Sequence, residues 1–74
     1  MTAEEWVRTF ADEIGATAPS QDQMNEILRL AAVAAHASER IAAPIACYLA
    51  GRAGKPLDEA IGAAQGVGDA GEAS

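Results

Sequence analysis

The sequence predicts an all-α protein, a small bundle of three to four helices with a disordered C-terminal tail. Three observations carry this. Apolar residues recur at helical spacing, two Ser/Thr-x-x-Glu/Gln capping boxes stand just before such runs, and Gly15, Pro19, Pro44 and Pro56 fall at the ends or in the first turns of the runs. A single helical domain over residues 1–65 and a tail over 66–74 account for the chain.

The first helix starts at Thr2, whose hydroxyl can accept from the Glu5 amide while the Glu5 carboxylate reaches back to the cap. At 100° per residue Ala3, Trp6, Val7, Phe10, Ala11 and Ile14 share one side and Glu5, Arg8, Asp12 and Glu13 the other. Trp6 and Phe10 are therefore expected in the core, or as both core and exposed anchors if that core continues into a partner, and Gly15 ends the helix. Pro19 then keeps Ala18 out of the helical region, and Ser20 with Gln23 forms the second capping box. Helix two begins near residue 21 with Met24, Ile27, Leu28, Ala31 and Ala35 as its stripe, widened by Leu30 and Ala34. After Leu30 that stripe is almost all alanine, which predicts a close crossing with another helix.

Pro44 belongs in a first turn, so a boundary falls between residues 38 and 43. Helix three then presents Ile45, Tyr48 and Leu49 on one stripe and ends in "GRAGK". Pro56 opens a fourth, short helix with the stripe Leu57, Ala60, Ile61 and Ala64. From Gly66 the sequence "GVGDAGEAS" has almost nothing to bury, which reads as a tail.

Composition restricts the function. Of the 37 residues counted as hydrophobic 19 are alanine, and the aromatics are Trp6, Phe10 and Tyr48 alone. A chain of 74 residues has little surface to bury in any case. Its core is thin, and small domains with thin cores recruit a partner subunit, a metal or disulfides. The single Cys47 excludes an internal disulfide, and no Cys/His set completes a metal site. A net charge of −6 repels phosphate backbones and anionic lipid heads, so neither nucleic acid nor a membrane surface is an expected partner. The start "MTAEEW" has no basic n-region or apolar h-region, and no apolar run approaches the roughly 18 residues of a span. A cytoplasmic protein is expected.

The residues with chemistry to offer cluster around "HASER", residues 36–40. His36 lies at the edge of helix two's apolar stripe, on the side of Asn25 and Arg29, near a helix end where the dipole favours a cation. Arg40 can satisfy the exposed C-terminal carbonyls of helix two through its fork of donors. Alternatively Arg29, His36 and Arg40, with Ser38 and Glu39 beside them, form a surface for a partner or for a carboxylate or phosphate. His36 with Cys47 invites a thiol–imidazole dyad, but neither an oxyanion hole nor a third orienting group has a signature, and a buried structural thiol is the plainer reading. The glycines lack the Gly-Lys-Ser/Thr ending of a phosphate loop. No catalytic residue and no cofactor is assigned.

Trp6, the break at Gly15, "ILRLAAVAAHASER" (residues 27–40) and "AAPIACYLAG" (residues 42–51) resemble a small actinobacterial helical domain of unknown function. That domain is found alone or fused to molybdenum cofactor guanylyltransferase-like proteins. The resemblance covers about two thirds of the chain and implies an accessory role near molybdopterin-dinucleotide maturation, with His36 and Arg40 on the surface concerned. The family pattern has proline directly after the Glu-Arg pair, where this chain has Ile41, which leaves the turn less rigid. The expected function is thus a non-catalytic interaction or accessory domain that forms a homo-oligomer or joins a guanylyltransferase-like partner. The alternatives are an acyl-carrier-like protein, whose Asp-Ser-Leu is here "PSQ" at Ser20, and a small enzyme using His36 and Cys47.

Overall fold

Both capping boxes form, and they set where the first two helices begin. Thr2 Oγ1 accepts from the Glu5 amide at 3.1 Å while the Thr2 amide donates to Glu5 Oε1 at 2.8 Å. Ser20 and Gln23 repeat the pattern at 3.1 and 2.8 Å. The computed structural model describes the backbone of residues 1–73 and the side chains of residues 1–67. It holds four helices, α1 (Ala3–Ile14), α2 (Gln21–Ala37), α3 (Ala42–Ala53) and α4 (Leu57–Ala73).

Helix ends fall where glycine can take the left-handed conformation. Gly15, with φ of 74°, closes α1 by donating to the Ala11 and Asp12 carbonyls, and Gly54, with φ of 68°, does the same for α3 at Ala50 and Gly51. The α2–α3 break lies at residues 38–41, and Pro44 sits in the first turn of α3, where a missing amide removes no intrahelical bond. Only the length of α4 departs from expectation. It runs to Ala73 rather than ending after a short stretch. Gly66 and Val67 are helical and exposed; from residue 68 the tail expected over 66–74 lies outside the described side chains.

α2 is the hub. It packs against both α3 and α4, and α1 has no comparable packing among the described residues. Leu30, 2 % exposed, is the most buried side chain, joined in the core by Ala11 and Ile61. Along α2 the alanines Ala31, Ala34 and Ala35 are half-buried, as the close crossing requires. The α4 stripe of Leu57, Ala60, Ile61 and Ala64 faces inward as expected.

Three expectations about the core need correction. Leu28 is exposed and Leu30 takes its place, so the inward face of α2 is turned toward Leu30. Ile45, Tyr48 and Leu49 of α3 are exposed, and the half-buried face is Ala43, Ala46, Cys47 and Ala50. Two small-residue faces bring the α2 and α3 backbones together, and the large α3 side chains are then left outside. Trp6 and Phe10 are not core residues either. They stack on each other with centroids 5.1 Å apart and remain 56 % and 47 % exposed.

The result is an open molecule. Its radius of gyration is 13.4 Å, against about 11 Å for a compact chain of this length.

Leu30→Ala removes the best-buried side chain and is expected to destabilise by about 3 kcal/mol, whereas Ser20→Ala loses a cap worth about 1 kcal/mol; urea titration followed by circular dichroism ranks the two. The Glu5 carboxyl lies below its ordinary value of 4.5, held there first by the Thr2 amide and then by the Thr2 hydroxyl. A lowered carboxyl contributes stability above its unfolded value, and that contribution disappears as the pH falls through the folded value. Glu5→Gln keeps the cap but does not titrate, so the loss of thermal stability between pH 5 and 3 should be smaller in this variant than in the wild type.

Candidate functional site

The five residues singled out in the sequence are all exposed. His36 is in the last turn of α2, where the dipole favours a cation. Ser38 is the C-cap of α2, and its backbone amide closes the helix on the Ala34 carbonyl. The turn beyond is held by the Ala42 amide on the Glu39 carbonyl at 2.9 Å and the Ala43 amide on the Arg40 carbonyl at 3.2 Å. Backbone groups thus close this end of α2, and the Arg40 guanidinium makes no hydrogen bond among the described residues. The capping role expected for Arg40 is therefore not the one its side chain plays.

Arg29 stands seven residues, about 10 Å of helix, before His36. Among the described residues none of these basic side chains forms an ion pair, and the sole ion pair there is Lys55 with Glu59 at 3.6 Å. No three His, Cys, Asp or Glu side chains among the described residues gather as a metal site.

Cys47 is elsewhere. Its Sγ points from α3 at the Ile27 carbonyl of α2, at 3.8 Å, in the packed interface between the two helices. Ile27 precedes His36 by nine residues, which is about 13 Å along α2. The chain therefore separates the thiol from the imidazole, and the dyad considered from sequence does not form. Burial also pushes the thiol up from its ordinary value, which keeps it protonated and unreactive. Ser20, the serine of the carrier reading, has its hydroxyl engaged in the cap of α2.

The structure adds an apolar groove of ≈ 480 Å³ beside the candidate residues. Ser38 and Glu39 form its polar end, and Ile41 with Ala42, Ile45, Ala46 and Leu49 of α3 supplies much of its wall. Sequence reasoning assigned Ile45 and Leu49 to the interior and so missed it. The signal was the second, all-small face of α3, which competes with the large one for α2.

At the end of α3, Arg52 Nη1 donates to Tyr48 Oη at 3.3 Å, a pair that fixes both side chains on the outer surface. α3 itself carries no acidic residue. The acids lie on the other helices and at Glu39. No helix among the described residues is long and apolar enough to cross a membrane.

The sequence pattern of a family described as a domain of unknown function, DUF6457, matches residues 1–73. No curated protein and no solved structure matches the chain.

Cys47 should react with iodoacetamide several-fold more slowly at pH 7.5 than a small-molecule thiol, and urea should abolish the difference. A fast native reaction would contradict the protonated, half-buried thiol.

Proposed function

The chain belongs to the DUF6457 family, a domain of unknown function, and we propose that it is a non-catalytic interaction module whose incomplete core is finished by a second copy of itself. The observation that carries this is the inversion of α3. Its alanines face α2 while Ile45 and Leu49, 56 % and 58 % exposed, line an open groove. Soluble monomers rarely leave a contiguous apolar patch of this kind, and such patches mark association sites.

The surface area supports the same reading. The chain exposes 5629 Å², about 1,300 Å² more than a compact monomer of its mass. A standard interface removes about 800 Å² from each partner.

The resemblance of residues 4–53 to a domain found alone or fused to molybdenum cofactor guanylyltransferase-like proteins supports a biological setting for it. In that setting the module serves as a cytoplasmic accessory to dinucleotide cofactor maturation. Arg29, His36 and Arg40, with Ser38 and Glu39, then offer a surface to the enzyme at the end of α2. Three basic side chains that form no ion pair with another described residue offer their donors to a partner's carboxylates.

Light scattering over a micromolar concentration series tests the assembly. The expected mass rises toward twice 7.6 kDa. A mass that stays at one chain throughout, with helicity intact, would contradict the reading.

A further inference from the structure

Resting on that self-association, we infer that the dimer forms by antiparallel packing of α3 on the α3 of a second copy, with Glu39 of each chain paired to Arg52 of the other. Charge selects the helix. In a chain of net charge −6, two copies repel wherever their acids meet. α1 carries Glu4, Glu5, Asp12 and Glu13, α2 carries Asp22 and Glu26, and α4 starts with Asp58 and Glu59. α3 alone presents a long apolar face with no acid on it.

Charge also selects the direction. Glu39 stands just before α3 at the polar end of the groove, and Arg52 lies in its last turn. They mark the two ends of α3, whose 12 residues span about 18 Å at the helical rise. A parallel pair would set Glu39 against Glu39 and Arg52 against Arg52. An antiparallel pair sets Glu39 against Arg52 twice, and a twofold axis produces both contacts at once. The helix dipoles are opposed favourably in the same arrangement.

The register this imposes matches large residues to small ones. Placing Glu39 opposite Arg52 centres the axis between Ile45 and Ala46. Leu49 of one copy then lies opposite Ala42 of the other, and the two Ile45 side chains lie beside the axis; all of these residues line the groove. A large residue set against a small one is what interdigitating helices need.

The test uses sedimentation equilibrium on the full chain, with circular dichroism as the check on folding. Ile45 is already outside the core, so Ile45→Glu should leave the helicity unchanged while raising the dimer dissociation constant at least ~30-fold, as loss of a central anchor does. Ile14→Glu, an equally exposed change on α1, should leave the constant within about threefold, as a substitution outside the interface does. Glu39→Arg should weaken the dimer, and combining it with Arg52→Glu should restore it.

A wild-type dimer unaffected by Ile45→Glu would overturn the α3 surface and leave self-association standing. A double charge reversal no tighter than Glu39→Arg alone would overturn the antiparallel pairing, and this comparison holds even if Ile45→Glu misfolds. A wild-type chain that never associates would overturn both the surface and the reading it rests on.

Discussion

The close approach of α2 to its neighbours is the interaction on which the rest of the molecule depends. Leu30 anchors it, and Ala31, Ala34 and Ala35 continue it toward the end of the helix. Small side chains allow the backbones to come near, but they bury little apolar area at each position. α3 answers with its own small face, so the contact is tight and narrow. Once that contact is made the orientation of α3 is fixed, and Ile45 and Leu49 have nowhere to go but outward. The groove, the unpaired apolar area and the proposed dimer are consequences of this one choice.

Local features of the fold were legible because they are decided within a few residues. The capping boxes at Thr2 and Ser20, the left-handed glycines 15 and 54 and the first-turn Pro44 each depend on neighbours in sequence. Helix faces are decided by partners distant in sequence, and there the sequence was ambiguous. On α4 one face is apolar and the other is not, so Leu57 and Ile61 point inward as read. On α3 both faces are apolar, one small and one large. The reading that large apolar residues go inside then chose wrongly, because fit against the alanines of α2 outweighed area. Leu28 and Leu30 of α2 are the same ambiguity on a smaller scale.

The candidate surface was legible to a similar depth. The position of His36 at the end of α2 and the break after it followed from spacing. That backbone amides rather than Arg40 close the helix depends on the geometry of the 38–41 turn, which Ile41 in place of proline left open to more than one conformation. The separation of Cys47 from His36 likewise needed the register of α3 on α2, which the Ile27 contact supplies. Trp6 and Phe10 show a further limit. Amphipathic periodicity identifies a face that wants to be covered, but it does not say whether the cover comes from the same chain.

The central claim is that this chain holds part of a core and that a second copy completes it. Binding that occurs only in the folded state couples stability to concentration. The direct measurement is the thermal midpoint by circular dichroism at protein concentrations spanning two decades. A midpoint that climbs with concentration is the predicted result, since association and folding then draw on the same apolar surface. A midpoint independent of concentration would contradict the claim and make the exposed face of α3 a stable feature of a self-sufficient monomer.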